Sequence, residues 1–141
     1  MRLRRKPWID QAIHDFDDFV FPKDRPASEA QKGEWHSLFG SEKPLYVELG
    51  TGKGDFISQL AEREQENNFI GIEAQQDVLY QAAVKVRDKG LSNVRLLVFD
   101  INEIELIFII ELFSLKTLLE LLAFAIEEIE GIPLYNSASS L

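Results

Sequence analysis

A short β run, Leu45-Tyr-Val-Glu-Leu49, leads into glycines at alternate positions, Gly50, Gly52 and Gly54. An amphipathic stretch follows at once, with Phe56, Ile57, Leu60 and Ala61 on one helical face. This strand–glycine turn–helix junction constrains the fold more than any other feature of the chain. Glycines let the backbone turn sharply and approach a ligand closely, and the helix start points its amides at the same spot. The pattern continues downstream. Phe69-Ile-Gly-Ile72 is a second β run ending at Glu73. Residues 76–89 predict a helix with Val78, Ala82, Val86 and their neighbours inward and Gly90 as its stop. Val94-Arg-Leu-Leu-Val-Phe99 is a third β run ending at Asp100. The order β-α-β-α-β predicts parallel pairing with right-handed crossovers.

The flanks read differently. Residues 1–40 are expected to be a basic arm and a short helix. Pro7, Pro22 and Pro26 punctuate the arm, and Trp35, Leu38 and Phe39 fall at helical spacing before a stop at Gly40. Arg2, Arg4, Arg5 and Lys6 open the chain and suit phosphate contacts, with Trp8 available to stack on a base. A solvated N-terminus explains them equally well. No apolar core of signal-peptide type follows these charges, and the chain has no cysteine, so a cytoplasmic protein without disulfides or thiolate metal sites is expected. The formal net charge is −9, and residues 101–141 carry a single lysine, Lys116, against seven glutamates. A globally acidic chain is a poor nucleic-acid binder unless its cations are concentrated. His14 and His36 have no second ligand at metal spacing, so no metal site is expected. Glu105, Glu111, Lys116 and Glu120 interrupt the apolar stretch 104–126, so no membrane span is expected either.

Each predicted strand ends in a group suited to ligand binding: Glu48 and the glycine turn, then Glu73, then Asp100. In open α/β sheets ligands bind at that edge. The glycine spacing is G-x-G-x-G, not the G-x-G-x-x-G of dinucleotide binders, and Val47 stands where a phosphate-binding loop would begin with glycine. Glu73 lies 23 residues beyond Gly50, close to the ~20 expected of an acid that holds ribose hydroxyls. An acid just before the glycines disfavours a pyrophosphate and favours a cationic ligand. S-adenosyl-L-methionine, with its ammonium and sulfonium, fits that preference. A tight turn with no ligand is the plainer alternative.

The motifs together resemble the bacterial tRNA (guanine-N7-)-methyltransferase family. The matching pieces are Met1-Arg-Leu-Arg-Arg-Lys-Pro-Trp8, Lys32-Gly-Glu-Trp35 with Leu38-Phe-Gly40, Val47-Glu-Leu-Gly-Thr-Gly-Lys-Gly54 with Phe56-Ile57, Phe69-Ile-Gly-Ile-Glu73, and Asn93-Val-Arg-Leu-Leu97 with Asp100. They run in order over about residues 1–108. The resemblance implies an α/β, Rossmann-like class I methyltransferase, here truncated after about three parallel strands. It implies S-adenosyl-L-methionine as cofactor and N7 of guanine 46 in tRNA as methyl acceptor. It further implies cofactor contacts at Glu48, Gly50, Gly52, Gly54, Glu73 and Asp100, with Glu73 on the ribose and Asp100 near the adenine. No catalytic side chain is assigned, and a monomer is expected.

The resemblance implies three segments: an arm at 1–40, the N-terminal half of the cofactor domain at 41–108, and a divergent tail at 109–141. The family continues with a strand, an Asn-Phe-Ser-Asp-Pro-Trp-Pro-Lys-Lys-Arg-His segment and a later Thr-Asp-Asn motif, none of which the tail contains. Read one base later, Leu115 to Leu122 can encode Ser-Lys-Leu-Tyr-Leu-Asn-Phe-Ser, which resembles that strand and the start of the motif. The tail is therefore expected to be off-frame, and the chain to be inactive or weakly active. A non-catalytic remnant and another nucleotide-binding Rossmann-type enzyme stand as the alternatives.

Overall fold

Four parallel strands form one sheet, in the order β1-β4-β3-β2. The structure is a computed structural model and describes residues 4–109. Arg2 and the tail from residue 110 lie outside the described residues, and with them the off-frame reading of that tail. The three strands expected from sequence are present as β2 (Leu45–Leu49), β3 (Asn68–Glu73) and β4 (Val94–Val98). Helices α3 (Asp55–Arg63) and α4 (Gln76–Asp88) are the crossovers between them. This is the α/β, Rossmann-like arrangement that the β-α-β-α-β pattern predicts.

The fourth strand was not legible. β1 is only Val20–Phe21, and it adds to the outer edge of β4 with Val20 opposite Leu96 and Phe21 opposite Leu97. A two-residue strand between prolines and aspartates has no periodicity to detect. Before it, α1 (Ile9–Ala12) and a 3₁₀ turn at Ile13–Phe16 bury Ile9, Ile13 and Phe16. Phe16 packs on Tyr80 of α4, with ring centroids 5.7 Å apart. The expected arm thus carries its own share of core.

Alternation along the strands separates two faces. Ile70, Ile72 and Leu97 face a cluster completed by Ala27, Trp35 and Ile107. Trp35 opens the short helix α2 (Trp35–Phe39), which ends at Gly40 with φ +66, the left-handed stop expected there. The Trp35 indole stacks on Phe108 at 5.3 Å and donates its Nε1–H to the Ile107 carbonyl at 2.8 Å. Leu38, expected to pack beside it, is instead exposed. Helix α2 is short, and one turn presents a single strong apolar position.

The other face packs against α3 and α4. On α3, Ile57, Leu60 and Ala61 are buried as expected, whereas Phe56 is only partly so. On α4 the buried stripe is Leu79, Ala82, Ala83 and Val86: Ala82 and Val86 are inward as expected, whereas Val78 is only partly buried and its neighbour Leu79 takes the inward place. Small residues at 82 and 83 let the two helices close up. A Cβ built on Gly54 would lie 2.5 Å from the Ala82 Cβ and 2.7 Å from its Cα. Asn93 closes the base of the sheet: its buried amide donates to the carbonyls of Ala61 at 2.9 Å and Asn67 at 3.0 Å. Among the described residues, no helix is long and apolar enough to cross a membrane.

Candidate functional site

The β2–α3 turn hangs from the end of β3. The amides of Gly50 and Thr51 both donate to the Ile72 carbonyl at 2.8 Å, and Gly54 N–H closes the turn on the Thr51 carbonyl at 3.1 Å. The glycines of the motif have positive φ: +75 at Gly50, +57 at Gly52 and +79 at Gly54. Such angles cost an L side chain roughly 1–2 kcal/mol each. Their surroundings divide them into two kinds. Gly54 is pressed against Ala82, so its role is helix packing. Gly50 and Gly52 face open space, with no atom within 4 Å of a would-be Cβ. Only those two leave room for something to come against the backbone.

Glu73 terminates β3 one strand over. Its Oε1 accepts the Gly52 N–H at 3.2 Å and its Oε2 accepts the Gln75 N–H at 3.0 Å. The carboxylate therefore spans the glycine turn and the first turn of α4. Glu48 lies on β2 opposite Gly71 of β3, and alternation puts Glu48, Gly71 and Glu73 on one face of the sheet. Gly71 is required there, since a Cβ would meet the Thr51 hydroxyl at 2.7 Å and the Ile57 Cδ1 at 2.8 Å. Two carboxylates at the ends of neighbouring strands make this edge acidic, a preference for cationic ligand groups.

Asp100 lies two residues beyond the end of β4, at the same edge. Its Oδ1 accepts the Asn102 backbone N–H at 3.0 Å and the Asn102 side-chain amide at 3.1 Å, capping the 3₁₀ turn Ile101–Leu106. The structure thus joins Gly52 to Glu73 directly, ties Gly50 to the neighbouring Ile72, sets Glu48 on the face of Glu73, and gives Asp100 a capping role of its own. Gly54 belongs to the packing beneath them.

Two contributors escaped the sequence reading. Thr51 is buried in the turn, and its Oγ1 has no hydrogen-bond partner among the described residues. Lys85 of α4 donates its Nζ to the Lys53 carbonyl at 2.8 Å and pairs with Asp55 at 2.6 Å, which fastens the turn to the second helix and holds the Asp55 carboxyl below its usual range. Neither has a local signal: one is a hydroxyl between glycines, the other a lysine 32 residues away. His14 also proved not to be isolated. Its Nε2 contacts Asp24 at 2.8 Å and its Nδ1 contacts Asp17 at 3.0 Å. No group of acidic or histidine side chains among the described residues is disposed to hold a metal ion.

A family model described as "Putative methyltransferase" matches residues 42–121. A tRNA (guanine-N(7)-)-methyltransferase from Geobacillus thermodenitrificans is 45% identical over 97 residues, 69% of this chain and 43% of its own. Those of Halalkalibacterium halodurans and Bacillus subtilis are 42% and 39% identical over 104 and 108 residues, covering 46% and 49% of their lengths. The chain thus spans a little under half the length of the curated relatives it matches. It belongs to this methyltransferase family, and the bacterial tRNA (guanine-N7-)-methyltransferases that its motifs resemble are its relatives.

Proposed function

We propose that these residues are the cofactor-binding half of an enzyme that transfers a methyl group from S-adenosyl-L-methionine to N7 of guanine 46 in tRNA. The observation that carries the reading is the pair Gly50 and Gly52, left-handed and open, with the Gly50 amide held by the Ile72 carbonyl and the Gly52 amide by the Glu73 carboxylate. The residues fit the cofactor. Open glycines admit close backbone approach, and Glu48 and Glu73 supply negative charge for a ligand bearing an ammonium and a sulfonium. When bound, S-adenosyl-L-methionine supplies an electrophilic methyl group with a neutral thioether as leaving group.

The protein's task in such chemistry is small. Guanine N7 carries a free lone pair and needs no general base, so the side chains hold and orient rather than move protons. Glu73, tied to both Gly52 and Gln75, fixes the turn in one conformation before any ligand arrives, which limits the ordering cost of binding. Glu48 and Glu73 act through charge, and Asp100 stands exposed at the same edge.

Calorimetric titration of the purified 141-residue chain tests the cofactor. S-adenosyl-L-methionine is expected to bind more tightly than NAD, and tighter NAD binding would refute the reading. Incubation with radiolabelled S-adenosyl-L-methionine and unmodified tRNA tests turnover. The motifs that the family resemblance assigns to guanine positioning are not in this sequence, and positioning accounts for many kcal/mol of barrier lowering. Cofactor binding with little methyl transfer is the expected outcome. Rapid incorporation at guanine N7 would show that residues 109–141 supply a substrate site of their own.

A further inference from the structure

Thr51 sits between two left-handed glycines, Gly50 at φ +75 and Gly52 at φ +57. Its backbone is fully engaged: the N–H donates to the Ile72 carbonyl at 2.8 Å, and the carbonyl accepts the Gly54 N–H at 3.1 Å. The side chain turns down onto the sheet, and the residue is only 6% exposed. Its hydroxyl oxygen lies over Gly71 of β3, 2.7 Å from the position that a Cβ would take there. Ile57 Cδ1 and Leu96 Cδ2 close around the same point at 2.8 and 3.0 Å. Among the described residues this buried hydroxyl has no hydrogen-bond partner.

A buried hydroxyl without a partner costs stability, and valine has nearly the same shape without that cost. Packing alone therefore does not call for threonine here. The hydroxyl has a proton to give and two lone pairs to offer, and the apolar ends of Ile57 and Leu96 can use neither. Strand register supplies an acceptor. Glu48 stands opposite Gly71, so its side chain leaves the same face of the sheet that the Thr51 hydroxyl covers. Neighbouring strands lie about 4.8 Å apart, which sets the Glu48 Cβ about that far from the point over which the hydroxyl sits. A glutamate side chain is long enough to span the remaining gap. A carboxylate offers about four acceptor positions, so Glu48 can take this bond beside its other contacts.

Resting on the reading that S-adenosyl-L-methionine binds at this edge, we propose that Thr51 is a positioning residue: in the loaded site its hydroxyl donates to the Glu48 carboxylate and holds it toward the ligand's ammonium. Without ligand the hydroxyl is buried and unpaired, a cost that the loaded site removes. A contact made only in the bound state favours binding by its full worth. An O–H···O⁻ bond is charge-assisted and stronger than a bond between neutral groups. Gly71 belongs to the same arrangement, since a side chain there would occupy the place of the hydroxyl.

The test combines urea denaturation and calorimetry on the full chain, for wild type, Thr51→Val, Thr51→Ser, Glu48→Gln and the Thr51→Val/Glu48→Gln pair. Thr51→Val keeps the shape and removes an unpaired hydroxyl, so its unfolding midpoint should equal or exceed that of wild type. Its affinity for S-adenosyl-L-homocysteine, which carries the ammonium, should nevertheless fall roughly ten- to hundredfold, the effect of deleting a hydrogen bond to a charged group. Affinity for 5′-methylthioadenosine, which lacks the amino-acid end, should not change. Thr51→Ser should restore wild-type binding, and Thr51→Val should cost clearly less in the Glu48→Gln background, where the acceptor is neutral. Wild-type affinity for S-adenosyl-L-homocysteine in Thr51→Val overturns the proposal. Equal losses for the two ligands overturn it, because they report a general disturbance of the turn, and so does an undiminished loss on top of Glu48→Gln. A clearly lower midpoint for Thr51→Val overturns it as well, since the hydroxyl would then be bonded before ligand arrives. A wild-type chain that binds neither ligand would refute the cofactor reading itself, an outcome distinct from any difference between variants.

Discussion

The Gly52 amide and the Glu73 carboxylate, 21 residues apart in sequence, meet at 3.2 Å. One oxygen of Glu73 thereby braces the turn, and the other accepts from Gln75 at the start of α4. A group proposed to hold ligand is therefore also part of the scaffold. Glu73→Ala should weaken S-adenosyl-L-methionine binding by roughly 1–3 kcal/mol, the usual cost of deleting a charged hydrogen-bond partner. Glu73→Gln keeps an acceptor for Gly52 and should fall between. Calorimetric affinities equal to wild type for both would remove Glu73 from the site.

The glycines predict a contrast in stability. Gly52→Ala meets no atom and should cost only the left-handed penalty, roughly 1–2 kcal/mol. Gly54→Ala carries that penalty and drives a methyl into Ala82, adding about 1–3 kcal/mol for overpacking. Urea denaturation of the two variants measures the gap, and equal midpoints would show that α3 and α4 separate freely.

Trp35 anchors the face of the sheet opposite α3 and α4. Trp35→Phe keeps most of the ring packing but deprives the Ile107 carbonyl of its 2.8 Å donor. A loss of about 1–3 kcal/mol follows from leaving a buried acceptor unpaired. Because Trp8 is 57% exposed and Trp35 only 4%, the blue-shifted part of the tryptophan emission should vanish with this substitution. Retention of that component would place the buried indole elsewhere.

His14 gives the N-terminal segment a pH dependence. Its hydrogen bond to Asp24, then that to Asp17, raises the imidazole above its ordinary 6.5. A raised folded-state pKa stabilises the fold fully below about pH 6.5, and that contribution is lost as pH rises through the folded value. Thermal melts should therefore fall in midpoint across that window for wild type. His14→Ala should flatten that part of the profile, and an unchanged profile would mean the two carboxylates do not sense the ring.

Much of this was visible before any coordinates. The apolar runs at 45–49, 69–72 and 94–99 became three strands with nearly those limits: the runs of β3 and β4 suit strands buried on both faces, whereas β2, at the end of the described sheet, is only half-buried. Gly40 and Gly90 marked helix ends, both with positive φ. The four-residue α1 and the two-residue β1 were hidden, since their stability comes from packing on α4 and β4 rather than from local pattern. On α4, Ala82 and Val86 were legible as inward and only Val78 was not, for a related reason: Val78 and Leu79 are both apolar, and only the partner surface chooses between them.

The site divides in the same way. Sequence spacing was enough to determine the parallel order of strands, the glycine turn between β2 and α3, and the delivery of Glu48, Glu73 and Asp100 to one sheet edge, because strand ends and crossover handedness follow from local chemistry. What only the tertiary structure decided is how those residues are used. Gly54 serves packing while Gly50 and Gly52 stay open, Glu73 bonds the turn, Asp100 spends one oxygen on a cap, and Arg4, Arg5 and Lys6 line a cavity at the start of α4. Each of these depends on a distance between segments far apart in the chain, and such distances are set by the packing of the whole sheet and its helices.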